Sequence, residues 1–315
     1  EQPLTTAEDQ ALRWLVGKTV PVVELAKPEV TRRGLDGLAL TMAGKPAAAT
    51  TVARKRAVFY NVLKYAVNER KLLDANPIDR IDWKTPAKVE QVDRSVVVNP
   101  AQARELLTAV TYVGRYRGRG RRMRALYACM YFAGLRPAEA MSLREQNCHL
   151  PEKGWGRLTL ARSLPSVGSI YTDDGATHDD KGLKRRAAGD VRPVPIPPEL
   201  VAILREHLDE FGTADDGRLF ATSTGGVISA SAVSRIWEDA RMLGLSPGQQ
   251  ISPLAGRPYD LRHACATLLL NSGVPPKEVA RRLGHSVDVL WKVYAGCMDG
   301  DDERINGLIE RALTA

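Results

Sequence analysis

Apolar side chains recur at intervals of three and four residues along most of the chain, and this spacing predicts helices that bury one face. The clearest stripe comprises Val52, Phe59, Val62, Leu63, Ala66 and Val67. The pair Asn76-Pro77 favours a turn and ends this part of the chain. We therefore predict a wholly helical first domain over residues 1–84.

A polar stretch without periodicity follows, and we interpret residues 85–95 as an interdomain linker. A second domain over residues 96–315 then begins with a helix at Pro100, since proline suits the first turn of a helix. Further helical patterns cover residues 126–132, 198–211, 229–243, 259–272, 275–283, 288–293 and 303–313. Two domains are also what a length of 315 residues favours.

Two short segments alternate between apolar and polar residues, as a strand does. They are Arg157–Arg162 and Arg192–Ile196, and the residues between 172 and 190 are rich in Gly, Asp and Lys. The predicted fold class is therefore mainly α (α+β), with a helical first domain and a mostly helical second domain that carries a small antiparallel sheet.

The charge and the cysteines narrow the class of protein. The chain has 45 Lys and Arg against 37 Asp and Glu, a formal net charge of +8 that weakly favours a polyanionic partner. Its four cysteines form no Cys-x-x-Cys pair, and we expect reduced thiols without a structural metal. No apolar run is long enough to cross a bilayer, so we expect a cytoplasmic protein without a membrane partner.

Basic residues concentrate in two segments. Arg54, Lys55, Arg56 and Lys64 lie mostly off the apolar stripe of the first long helix, where they form either a solvated face or a DNA-facing surface. The second segment, residues 114–124, holds six arginines in eleven residues. Our candidates for phosphate contacts in this segment are Arg115, Arg117, Arg119 and Arg121.

Three segments carry candidate chemistry. They are Ala133-Gly-Leu-Arg-Pro-Ala-Glu-Ala140, Tyr259-Asp-Leu-Arg-His-Ala-Cys-Ala-Thr267 and Leu283-Gly-His-Ser-Val-Asp-Val-Leu-Trp-Lys-Val-Tyr-Ala-Gly296. In order and spacing they resemble the Gly-Leu-Arg-x-x-Glu, His-x-Leu-Arg-His and Leu-Gly-His boxes of the tyrosine recombinase, or phage integrase, family. The third box of that family has its nucleophilic tyrosine nine residues after the histidine, and His285 precedes Tyr294 by nine.

The resemblance extends from about residue 45 to residue 296 and implies a core-binding domain followed by a catalytic domain. It assigns Arg136 and Arg262 to the scissile phosphate, His285 to a further hydrogen bond, and Tyr294 to the attack. Guanidinium groups suit this task because they are planar, permanently charged and able to donate two hydrogen bonds to adjacent oxygens. No metal or other cofactor is implied, since the phosphotyrosine bond conserves the phosphodiester energy.

Two positions depart from the family pattern. The family's catalytic lysine lies on a hairpin shortly before Arg-x-Val-Pro; here Lys184 is the nearest candidate and Lys181 the second. Tyr259 stands where the family usually has histidine, and a phenol is a poor base at neutral pH. We expect Tyr259 to hold the phosphate or Arg262. We expect Glu139 to orient an arginine or to brace the fold, and His263 to face away from the site, where it packs or supports the residues around the site.

The function implied is site-specific recombination of DNA, and we favour the integrase of a mobile element. The alternatives are a dimer resolvase, a type IB topoisomerase-like enzyme and a catalytically inactive DNA-binding relative. Expected partners are double-stranded DNA at specific attachment sites, three further protomers in a tetramer, and an accessory DNA-bending or directionality protein. The apolar stripe of the last helix fits docking either on a neighbouring protomer or on its own domain.

Overall fold

The structure is a computed structural model, and it describes residues 5–86, 91–114, 118–173, 175–184, 187, 189–297 and 302–314. The chain divides into two compact units, Glu1–Val89 and Glu90–Ala315. None of the helices within the described ranges is both long enough and apolar enough to cross a membrane.

The first unit is helical, as its apolar spacing predicts. Its helices are α1 (Thr6–Lys18), α2 (Pro28–Leu38) and α3 (Ala49–Asn68). A small core forms where α2 packs against α3 and the segment after it, and it buries Leu35, Leu63, Ala66, Leu73 and Ile78. Leu63 and Ala66 lie three residues apart on α3, so one face of this helix turns inwards, while Arg54 and Lys64 are exposed on its other side.

The second unit contains the remaining regular elements. Its helices are α4 (Pro100–Tyr112), α5 (Arg119–Phe132), α6 (Pro137–Met141), α7 (Pro198–Phe211), α8 (Ala230–Gly244), α9 (Pro247–Gln250), α10 (Asp260–Asn271), α11 (Pro276–Leu283), α12 (Val287–Tyr294) and α13 (Asp302–Thr314). Its strands are β1 (Cys148–His149), β2 (Gly156–Leu160), β3 (Arg162–Ser163), β4 (Lys181–Gly182) and β5 (Arg192–Ile196).

Helix α5 lies at the centre of this unit. It packs against α4, α7 and α10, and every residue from Ala125 to Tyr131 is buried. A helix that is apolar on all sides can be covered only by neighbours on all sides. The helix therefore sets the positions of α6, which follows it directly, and of α10, which crosses it.

The strands form two antiparallel sheets rather than one. In the first sheet β2 lies between β1 and β5, and Leu160 pairs with Arg192. In the second sheet β3 pairs with β4, so that Ser163 lies opposite Lys181. The predicted strand at residues 157–162 is thus divided at Ala161, and its end starts a separate hairpin.

The second half of the predicted linker, residues 91–95, packs with the second unit. The Val92 N–H donates to the carbonyl of Val293 over 2.8 Å, and a short 3-10 helix covers Arg94–Val96. Residues 91–95 are therefore attached to the second unit, because the backbone of Val92 hydrogen-bonds to the end of α12. The assignment of the two units as core-binding and catalytic domains stays a prediction.

Candidate active site

The three boxes are joined by Arg262, which lies in the first turn of α10 and is fully buried. Its guanidinium donates to the carbonyl of Gly134 and, over 2.6 Å, to the carbonyl of Leu283. These carbonyls belong to the turn before α6 and to the end of α11, so a single side chain holds both segments against α10.

Two glycines permit this close approach. Gly134 has φ +61°, and a Cβ there would lie 2.2 Å from a methyl carbon of Leu283. Gly284 has φ +64°, and a Cβ there would lie 1.9 Å from a guanidinium nitrogen of Arg192. Both positions combine a left-handed backbone with a close contact at the Cβ position, which explains the glycines of the first and third boxes.

Glu139 lies at the centre of a cluster of arginines and is 2% exposed. Its carboxylate accepts hydrogen bonds from Arg136 over 2.8 Å and from Arg192 over 2.7 Å, and Arg262 lies 3.9 Å away. Burial alone would raise the pKa of Glu139, but the charges of Arg192 and the other two arginines outweigh burial and lower it. Three cations against one anion give this cluster a net charge of about +2.

Removal of the Glu139 charge is expected to destabilise the second unit. Glu139→Gln leaves the buried arginines without their shared anion, and breaking a buried ion pair on one side costs about 3 to 5 kcal/mol. Urea unfolding of the variant would measure this loss. The control is Glu199→Gln, because Glu199 pairs with Arg104 on the surface and such a pair contributes about 0 to 1 kcal/mol. Equal urea midpoints of unfolding for the two variants would contradict the stabilising role of the Glu139 charge.

Arg192 is a member of the cluster that our sequence analysis missed. It is the first residue of β5 and is 2% exposed, with Nη1 3.3 Å from the carbonyl of Leu283. A signal was available: alternation along β5 puts Arg192 on the same inward face as Val194 and Ile196. An arginine at an inward position of a strand needs a buried anion, and Glu139 provides it.

His285 follows the turn after α11 and contacts Arg262. Its Nε2 lies 2.7 Å from Nη2 of Arg262. Since a guanidinium only donates, Nε2 must accept and the ring proton lies on Nδ1. Burial, followed by the charge of Arg262, lowers the pKa of His285 to about 3, so the ring is neutral at physiological pH. The Nδ1–H is buried without a hydrogen-bond partner among the described residues.

Tyr294 ends α12 and is 1% exposed. Its ring stacks on that of His285 with centroids 6.3 Å apart, and its hydroxyl oxygen lies 3.0 Å from Nδ1 of His263. Burial is the main reason why the pKa of Tyr294 lies above its ordinary value. The phenol is therefore protonated at neutral pH and must lose its proton when it attacks.

The expectation that His263 faces away from the site was wrong. We placed it elsewhere because it follows Arg262 directly on α10, but α12 lies where Tyr294 can meet it. Tyr259, just before α10, packs the edge of its ring against His263 at 5.1 Å between centroids. The structure thus groups Tyr259 with His263 and Tyr294.

The two candidate lysines lie on or beside the β3–β4 hairpin. Lys181, on β4, is exposed and pairs with Asp179 over 2.7 Å. Lys184 is exposed in the turn after β4, and no ion pair links it to another described residue. The base of the hairpin is attached to α6, since the Leu164 N–H donates to the carbonyl of Ala138 over 2.8 Å. This attachment is two residues from Arg136.

The basic residues predicted for DNA lie in several environments. On α3, Arg54 and Lys64 are exposed, Arg56 is half-buried, and the amino group of Lys55 donates to the carbonyl of Leu40. On α5, Arg121 pairs with Glu210 over 2.7 Å. Arg115 and Arg117 lie outside the described residues.

A cavity of about 580 Å³ extends the basic surface predicted at residues 114–124. Arg119 lines it together with two arginines absent from our prediction, Arg122 and Arg235. Arg122 is at the start of α5 and Arg235 is on α8, so only the tertiary structure brings their charges together.

Comparison with known proteins gave consistent matches. The model of the phage integrase family matches residues 97–297. A tyrosine recombinase XerC-like protein of Caldanaerobacter subterraneus subsp. tengcongensis is 27% identical over 195 residues, covering 56% of this chain and 46% of the relative. The integrase of Mycobacterium phage D29 is 26% identical over 260 residues, covering 80% of this chain and 60% of the relative. The chain thus spans about half the length of these curated relatives.

Solved structures match across almost the whole chain. The Tn1549 transposon integrase in complex with circular intermediate DNA has a TM-score of 0.62 at 16% identity, covering 97% of this chain and 92% of that one. The XerH site-specific recombinase bound to its difH substrate has a TM-score of 0.59 at 16% identity, covering 90% and 70%. At this level of identity the likeness establishes the fold.

Proposed function

The chain belongs to the phage integrase family of tyrosine recombinases, and from this membership we propose that it is a site-specific DNA recombinase with Tyr294 as the nucleophile. The observation that carries the proposal is that Arg136, Arg262 and His285, which lie far apart in sequence, meet beside Tyr294. The preferred biological role is integration of a mobile element.

The arginine cluster supports phosphoryl transfer. Attack on a phosphodiester gathers negative charge on the oxygens of a five-coordinate phosphorus, and donors that are already in place stabilise this charge. Glu139 keeps the guanidiniums together, while their excess charge of about +2 remains available to the phosphate. In this proposal Arg136, which is half-buried at the rim of the cluster, and the Nδ1–H of His285 contact the scissile phosphate.

Each step of the proposed reaction forms one bond to phosphorus and breaks another. The Tyr294 oxygen bonds to phosphorus while the bond from phosphorus to the 5′ oxygen breaks, which leaves a 3′-phosphotyrosine and a free 5′ hydroxyl. A 5′ hydroxyl from a partner duplex then attacks the phosphotyrosine and releases the phenol. Reacting atoms must approach to about 3.5 Å, and Tyr294 is 1% exposed, so the scissile phosphate must gain access to the phenol oxygen before cleavage.

A trapping experiment tests the function. Genomic DNA flanking the gene would be fragmented and nicked at random, so that some molecules lose the short 5′-hydroxyl fragment after cleavage and cannot be rejoined. We expect a protein–DNA complex that survives SDS and disappears on protease digestion, and sequencing of the trapped DNA would identify the site. DNA binding without any covalent complex would instead indicate an inactive DNA-binding relative.

The leaving 5′ oxygen needs a proton, and we propose Lys184 as its donor. Lys184→Ala should slow cleavage about 100-fold or more, which is typical of a lost general acid. A substrate with sulfur at the bridging 5′ position should restore the rate, because a thiolate leaves without protonation. Lys181→Ala is the matched control, since Lys181 is already paired with Asp179.

Single-turnover cleavage of both substrates by both variants would decide between the lysines. If the sulfur-substituted substrate restored cleavage by Lys181→Ala and not by Lys184→Ala, Lys181 would be the proton donor. Absence of rescue in either variant would mean that neither lysine is the acid.

Double-stranded DNA at specific sites is the proposed partner. The cavity surface formed by Arg119, Arg122 and Arg235 can contact phosphates, and counterion release would then make binding sensitive to salt. We propose that four protomers assemble on two sites, helped by an accessory DNA-bending or directionality protein. Helix α13 offers Ile309 and Leu313, both exposed, to a neighbouring protomer, and sedimentation of the DNA complex would count the protomers.

A further inference from the structure

The Tyr294 hydroxyl lies against the imidazole of His263. The distance from the phenol oxygen to Nδ1 is 3.0 Å, and the ring centroids are 5.7 Å apart. His263 is fixed by α10, on which it directly follows Arg262, and by the ring edge of Tyr259. The imidazole is therefore held in place by the same helix that positions an arginine of the phosphate site.

The imidazole is in the form that can accept a proton. Burial is the largest cause that lowers the pKa of His263, to about 4, so the ring is neutral at physiological pH. The charged groups around it are Arg262 and Arg257, which lower this pKa, and Asp260, which raises it. The neighbouring phenol retains its proton because burial raises the pKa of Tyr294. The hydroxyl can thus donate to Nδ1 in the tautomer whose proton lies on Nε2.

Other groups near Tyr294 are less suited to take the proton. Nε2 of His285 already accepts from Arg262, and its Nδ1 carries the ring proton. Tyr259 contacts His263 through its ring and is itself a phenol. His263 therefore combines contact with the nucleophile and a ring nitrogen that can accept its proton.

We propose that His263 is a catalytic residue that accepts the hydroxyl proton of Tyr294 as the phenol oxygen attacks the scissile phosphorus. This inference rests on the proposed recombinase function. The proton moves from the Tyr294 oxygen to Nδ1, and the 5′ oxygen takes its proton from a separate acid. In rejoining, the imidazolium returns the proton to the departing phenol. The anionic phosphate favours the first transfer because it offsets the repulsion that Arg262 exerts on an imidazolium.

The test measures single-turnover cleavage of the trapped DNA by two variants. His263→Ala should cleave about 100-fold more slowly than wild type, the range expected for a lost general base. Added imidazole should restore part of that rate. His263→Asn places an acceptor near the position of Nδ1 without a comparable base, so it should hold the phenol yet remain slow. A structural role predicts that His263→Asn cleaves like wild type, and a role in restraining Tyr294 predicts that His263→Ala cleaves faster. Either result would overturn the proposal.

A second measurement keeps the proposal testable if His263→Ala folds poorly. Fluorotyrosine at position 294 ionises more readily, so it should raise the rate of His263→Asn by a larger factor than that of wild type. The sulfur-substituted substrate should leave His263→Asn slow, because it assists the leaving group and not the nucleophile. Equal fluorotyrosine effects in both proteins would overturn the proposal. If wild-type protein forms no adduct, the recombinase function itself fails; if wild type cleaves and both variants match it, only the role of His263 fails.

Discussion

Tyr294→Phe is expected to abolish the covalent protein–DNA complex while DNA binding persists. The substitution removes the only atom of this side chain that can bond to phosphorus and keeps the ring that stacks on His285. The lost hydrogen bond to His263 should cost about 1 kcal/mol of unfolding free energy. The adduct would be measured on denaturing gels with the trapped substrate, and DNA affinity by fluorescence anisotropy.

Tyr131→Phe is the matched control for this experiment. Tyr131 is also 1% exposed, and its hydroxyl has no hydrogen-bond partner within the ranges that the structure describes. Removal of this hydroxyl should leave adduct formation unchanged. An adduct that persists in Tyr294→Phe would mean that another residue is the nucleophile and that the third box is misassigned.

Arg262→Lys should produce the second largest loss. Arg262 holds the carbonyls of Gly134 and Leu283 and also contacts His285, three directions that one ammonium cannot serve together. Because Arg262 also fixes the tautomer and position of His285, its loss removes the preorganised Nδ1–H donor to the developing charge, and loss of one such donor reduces catalysis about 100- to 1000-fold. Each buried carbonyl left without its donor should lower the free energy of unfolding by a further amount of about 1 to 3 kcal/mol. Urea titration would measure this loss.

Arg241→Lys separates the structural loss from the chemical one. Arg241 also donates in three directions, to the backbone carbonyls of Gln250, Ser252 and Leu254, but it lies on α8 outside the candidate site. Its substitution should lower the free energy of unfolding and leave single-turnover cleavage close to wild type under conditions where the variant is folded. If both variants cleave equally well when folded, Arg262 is a structural residue.

Much of the local structure was predictable from the sequence. The strand predicted at Arg192–Ile196 coincides with β5, and the helix predicted from Pro100 begins there, where Asn99 and Gln102 cap it reciprocally. These features depend on residues within one or two turns of each other, so spacing alone indicates them. The break at Ala161 was missed because alternation continues through it while the backbone changes partner strands.

The sequence by itself determined the helices predicted from residue 198 onwards, the strand β5 and the three boxes with their spacing, because each depends on residues close together along the chain. Only the tertiary structure decided that Glu139 gathers Arg136, Arg192 and Arg262, and that His263 meets Tyr294. Successive residues on a helix point about 100° apart, so Arg262 and His263 face different neighbours. Which neighbour each one meets depends on how α10, α11 and α12 pack, and that packing is set by apolar contacts across the whole second unit.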